Sequence, residues 1–173
     1  MNKKDANYIE LFVSQVLNFR PVYIELFGEE LLKLVKLKEE GGPKTDLHRL
    51  KGLQLISKTI GKILQGKEDS DKLALTSFLK TTSKEVKKLF ASVCHNHETF
   101  KVKKIAILRK YLEFVLVLLR AYKVCGLSKR FNSLKETVAE ESKLLPADPI
   151  LQKSVKKIEE IEMEGGVEDQ GGD

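Results

Sequence analysis

Residues Phe100 to Val124 read FKVKKIAILRKYLEFVLVLLRAYKV, and seven of the eight residues from Leu112 to Leu119 are apolar. At 100° per residue these side chains cover nearly the whole circumference of the second half of a helix. The polar exceptions Arg109, Glu113 and Arg120 fall on one narrow strip, with Arg109 and Glu113 spaced i,i+4. A helix that is apolar on almost every side must be surrounded by other helices. The stretch is therefore expected to be the central helix of an all-α domain, with Leu112, Val115, Leu116, Leu119 and Tyr122 buried together. The apolar run is shorter than the roughly 20 residues that a bilayer requires.

Working outward towards the N-terminus, apolar spacing predicts a first helix over Lys4–Asn18 and a second over Pro21–Glu39. Arg20-Pro21 separates them, because proline pushes the preceding residue out of the α region and is itself tolerated at a first helical position. The second helix is expected to bury Tyr23, Ile24, Phe27, Leu31, Leu34 and Val35. Tyr8-Ile9-Glu10-Leu11-Phe12 recurs as Tyr23-Ile24-Glu25-Leu26-Phe27. That interval is far below the roughly 33–47 residues of helical repeats, so it reads as two helices sharing one core-facing solution. After Gly41-Gly42-Pro43, a third helix over Thr45–Leu64 places Leu47, Leu50, Leu53, Ile56, Ile60 and Ile63 inward, with Arg49, Lys51, Lys58 and Lys62 on the other face. A fourth begins near Asp71, carrying Leu73, Leu75, Phe78 and Leu79. Thr82-Ser83-Lys84-Glu85 fits a capping box, which predicts a break near Thr81-Thr82 and a new helix over Ser83–Cys94.

Towards the C-terminus, Gly126 is a natural stop for the central helix. Ser133-Leu134-Lys135-Glu136 offers a second capping box, for a short helix ending near Leu145-Pro146. Asp148-Pro149 combines an N-cap acid with a first-turn proline and opens a last helix over Ile150–Met163. The expected organisation is one helical domain over 1–163, an irregular bundle or short α-solenoid-like stack of about six to eight helices. Residues 164–173, EGGVEDQGGD, have almost nothing to bury and read as a disordered acidic tail.

The net charge of +6 hides a partition. Residues 1–43 are net −1, residues 44–132 carry twenty Lys/Arg against seven Asp/Glu for a net of +13, and residues 133–173 are net −6. A basic middle followed by an acidic end suggests a polyanion partner, with a tail that competes for the same surface. The plainer reading is that lysines solvate helix faces and the tail aids solubility. Lys84, Lys87, Lys88, Lys101, Lys103, Lys104, Arg109 and Lys110 flank the turn at Asn96 and would gather there if the adjoining helices are antiparallel. They are the candidate polyanion-binding residues. Aromatic residues are only 7% and sit at core spacing, so backbone contact is expected rather than base stacking.

Catalytic patterns are missing from the sequence. It contains no glycine-rich phosphate loop, no G-x-S-x-G, no H-E-x-x-H and no EF-hand loop. Gly41-Gly42-Pro43-Lys44-Thr45 lacks the glycine spacing of a phosphate loop. Cys94-His95-Asn96-His97 is the only dense run of metal-ligand types, with His48 as a third partner across a helical hairpin. A structural zinc generally takes four ligands, and Cys125 lies too far along the next helix to supply one. A buried cysteine followed by polar helix-ending residues is the better reading, and neither metal nor cofactor is expected. Two cysteines and no signal-peptide pattern favour an intracellular site, nuclear, nucleolar or cytoplasmic. The reading is thus a non-enzymatic adaptor or scaffold that docks on a larger intracellular assembly of ribonucleoprotein or chromatin type, contacting RNA or DNA backbone. The alternatives are a module for a partner helix or peptide, and a peripheral binder of anionic membranes.

Overall fold

The helices follow from local rules that the chain obeys almost throughout. The computed structural model describes residues 15, 20–26, 32, 43–100 and 104–163. Among these, every regular element is helical. Helix α1 (Pro43–Gln65) starts on a proline, where the missing N–H costs nothing. Leu53, Ile56, Ile60 and Ile63 form its buried stripe, as their spacing predicts. Arg49 departs from expectation. It is only 1% exposed, with its guanidinium 5.8 Å from the centroid of the Phe100 ring. The planar cation can stack on an aromatic face, which lets it join a core-facing stripe.

Helix α2 (Asp69–Asn96) runs without a break through the threonine pair. Thr82 Oγ donates to the Phe78 carbonyl at 2.6 Å, and Thr81 Oγ to the same carbonyl at 3.1 Å. Each hydroxyl is spent on the preceding turn, not on capping a new one. The expected break is therefore absent. The buried set Leu75, Phe78, Leu79, Val86, Leu89, Phe90 and Val93 continues across the site, and tertiary packing outweighs the local capping signal. Leu73 was expected on the inner face and is instead 71% exposed.

Helix α3 (Lys104–Val124) is the central element. It packs against α1 and α2 and against the two helices that follow it, α4 (Ser128–Glu141) and α5 (Pro149–Glu160). Leu112, Val115, Leu119 and Tyr122 are buried as expected, while Leu116 is only partly covered at the edge of the core. The helix ends in a Schellman turn. Gly126 has φ 71°, its N–H donates to Lys123 O at 3.2 Å, and Leu127 N–H donates to Tyr122 O at 2.9 Å.

Helix α4 begins at Ser128, ahead of the expected capping box, which leaves Ser133 inside the helix. Its buried face is Phe131, Leu134 and Val138, and it closes with a 3₁₀ turn at Ser142–Leu144. Asp148 caps α5 as expected: Oδ1 accepts from Ile150 N at 2.9 Å and Leu151 N at 3.3 Å. The helix stops at Glu160, short of Met163. Lys135 of α4 donates to the carbonyls of Glu159 at 3.0 Å and Ile161 at 2.6 Å. A cation thus sits at the negative end of α5 and joins the two helices.

The most extensive contacts join alternate helices: α1 with α3, α3 with α5, and α2 with α4. The result is two layers, one of α1, α3 and α5 and one of α2 and α4. The 3₁₀ turn Pro21–Tyr23 lies against α2, and Ile24 after it is buried in the core. Tyr23, expected inward, is 39% exposed. The first expected helix (4–18, apart from Gln15), most of the second, and the tail 164–173 fall outside the described residues. Among the described residues no helix is long and apolar enough to cross a membrane.

Candidate polyanion-binding site

The layer of α2 and α4 carries a small recess. Ser83 and Lys87 face it from α2, and Lys129, Arg130, Ser133 and Leu134 from α4, with Tyr122 of α3 behind them. The spacing explains the convergence. Ser83/Lys87, Lys129/Ser133 and Arg130/Leu134 are each i,i+4 pairs, so each shares a helix face. Leu134 and Tyr122 anchor the walls in the core, both 1% exposed. The cavity holds about 110 Å³, well below the roughly 300–1,000 Å³ of a cleft for a drug-sized ligand.

Three cations, two serines and one tyrosine line this space, and among the described residues no carboxylate does. Lys87 Nζ donates to Ser133 Oγ at 2.8 Å, which fixes the ammonium across the helix pair. Ser83 is 4% and Arg130 7% exposed. Lys129 and Arg130 also occupy the first turn of α4, which has no acidic residue, and its N-cap, Leu127, offers no capping side chain. Cations at that end oppose the helix dipole, each by about 0.3–1 kcal/mol. The fold therefore concentrates positive potential there.

The sequence-expected cations divide between two environments. Lys84 and Lys88 are exposed on α2, on either side of Lys87, and Lys88 approaches Glu85 at 3.9 Å. Lys104 lies at the turn and pairs with Glu98 at 3.2 Å. Arg109 and Lys110 share Glu113, each at 3.1 Å. Lys101 and Lys103 lie outside the described residues. The recess thus unites Lys87 with Lys129, Arg130, Ser83 and Ser133, none of which sequence reasoning included. One signal was available: adjacent cations just after a glycine stop, in a helix turn that ordinarily prefers acids.

The Cys94–His97 run serves as a helix terminus. The Cys94 thiol is buried and its pKa is pushed up to about 12, first by burial and then by the Glu141 carboxylate, so it stays a neutral thiol. Burial also raises Cys125, against a hydrogen bond from Thr76 and the charge of Lys72. His95 Nε2 lies 2.9 Å from Glu141 Oε2, and His97 Nε2 lies 3.1 Å from the Leu144 carbonyl. These contacts tie the end of α2 to the end of α4. Among the described residues no group of three or more His, Cys, Asp or Glu is placed to hold a metal ion. The side chain of His48 lies outside the described residues.

The arrangement can neutralise and hydrogen-bond an anion. Comparison of the chain with protein-family models, with curated protein sequences and with solved structures returns no match, so the functional reading rests on this geometry.

Proposed function

We propose that this chain is a non-enzymatic helical adaptor that docks on a larger intracellular assembly of the ribonucleoprotein or chromatin kind, through a basic face that contacts nucleic-acid phosphates. The observation that carries the reading is the convergence of Lys87, Lys129 and Arg130 in a recess that no described carboxylate lines. Exposed Lys84 and Lys88 extend the same face along α2. Phosphate contacts of this kind position a protein without reading sequence, which suits a chain whose described aromatic residues are largely committed to its core.

The test is binding of single-stranded RNA as a function of salt, with two double variants. Lys87→Gln with Lys129→Gln should lower affinity by about tenfold and flatten the log–log salt slope by about 0.7 for each phosphate no longer neutralised. Lys104→Gln with Lys110→Gln should change affinity less, because those ammonium groups already face Glu98 and Glu113. Equal effects of the two variants would reject the α2–α4 face as the docking surface.

A second reading has one observation of its own. Leu145, Pro146, Leu151 and Val155 line a groove of about 310 Å³ beside α5, together with Lys143, Lys156 and Glu159. Apolar side chains flanked by two lysines and one glutamate suit an amphipathic peptide with more acidic than basic residues. If the chain binds no polyanion, pull-down of such peptides by that groove is the experiment to make.

A further inference from the structure

The geometry points to the α2–α4 recess as a socket for one terminal phosphate monoester of a nucleic-acid strand. The inference rests on the polyanion reading above and names the part of the polyanion that the recess selects.

Charge and shape both favour a strand end. An internal backbone phosphate carries a single negative charge and a sugar on each side. It can lie along a surface, but it cannot enter a recess of about 110 Å³ from one direction. A terminal monoester carries close to two negative charges near neutral pH and presents three acceptor oxygens on one stalk. Lys87, Lys129 and Arg130 surround the space with matching positive charge. Arg130 cannot lose its proton, so its charge stays in the wall of the recess.

Hydrogen bonding adds a second match. The Lys87 ammonium has three donors and uses one on Ser133 Oγ, which leaves two for a ligand. Ser133 accepts that bond and keeps its own O–H to donate. The first turn of α4 adds the positive end of a helix to the same space. Lys84 and Lys88 lie one turn apart and exposed on α2, beside Lys87. They are placed for the phosphates that follow the terminal one, which favours a nucleic-acid strand over a phosphorylated side chain on a peptide.

Fluorescence anisotropy of the full chain tests this with one single-stranded RNA sequence in two forms, one bearing a terminal phosphate and one ending in hydroxyls. The phosphorylated strand should bind about 10- to 100-fold more tightly, the scale of charge-assisted hydrogen bonds to one group. Inorganic phosphate should erode that preference and leave the residual binding of the hydroxyl strand. Ser133→Ala removes no charge, yet it should reduce the preference, and its melting temperature checks that the helix pair remains folded. Equal affinity of the two strands in the wild-type chain would overturn the socket, and a retained salt slope would leave the polyanion reading standing. Binding of neither strand would overturn both. A phosphoserine peptide that outcompetes the phosphorylated strand would overturn the assignment to nucleic acid.

Discussion

Two basic regions of this molecule have similar composition and opposite surroundings. At the start of α3, Lys104, Arg109 and Lys110 each have a carboxylate oxygen within 3.1–3.2 Å. Between α2 and α4, Lys87, Lys129 and Arg130 line a space that no described carboxylate enters. Counting along the chain treats the two alike, since both lie in the +13 segment. What separates them is where the acids fall: Glu113 is within reach of Arg109 and Lys110 by local helical spacing, and Glu98 reaches Lys104 from the turn before α3. Paired surface charges contribute little to attraction at a distance, whereas cations gathered around a recess that no described carboxylate lines focus potential.

The comparison can be broken at its foundation. Both regions depend on α3, whose Tyr122 backs the recess and whose first turns carry the paired set. Leu118→Asp would place a carboxylate where Leu118 is fully buried. It should cost more than about 4 kcal/mol and abolish the cooperative melt, and a near-normal denaturant midpoint would show that α3 is not central.

A smaller effect tests the bond between the ends of α2 and α4. The Cys94 thiol ionises near 12 in the folded chain and near its ordinary value of about 8.5 when unfolded. Above that ordinary value the unfolded state binds fewer protons, so stability should fall as pH rises from about 9 towards 12. Cys94→Ala should be less stable at neutral pH because of the cavity, with a shallower decline through that window. Identical declines in chemical denaturation would remove Cys94 from the account.

The smallest expected effect sharpens the comparison most directly. Glu113→Gln removes the acid shared by Arg109 and Lys110. Stability should change by no more than about 1 kcal/mol, because exposed ion pairs contribute little. Binding of a hydroxyl-ended RNA should strengthen, and its salt slope should steepen. An unchanged slope would mean that neutralisation by neighbours does not distinguish the two regions.

Much of the fold was legible where one residue has one local use. The stripe Leu53–Ile63 marked α1, Gly126 marked the end of α3, and Asp148-Pro149 marked the start of α5. Errors fell on residues with two local uses. A threonine such as Thr82 can cap a new helix or bond back to the turn before it, and only burial on both sides decides. Ser133 sits in a capping-box pattern yet serves as the acceptor for Lys87. Arg49 has the composition of a solvated face and the environment of a core residue, because Phe100 from beyond the next helix supplies its partner. The recess was hidden for a related reason. Lys87 and Ser133 are separated in the sequence by the whole of α3, and no short window along the chain contains both.

The alternate-helix layering also governs the order in which the molecule can assemble. The main partner of α1 is α3, that of α2 is α4, and α3 gains its other flank only when α5 is made. Each of these contacts spans a single intervening helix, so no distant end of the described chain must be found before packing begins. Each closure still spans tens of residues, 46 between Lys87 and Ser133, so the contact order exceeds that of a bundle packed only through sequential neighbours. The layering also lets synthesis and folding run in the same direction: once α3 is free of the ribosome, α1 is there to receive it, and each helix made afterwards meets its main partner already present.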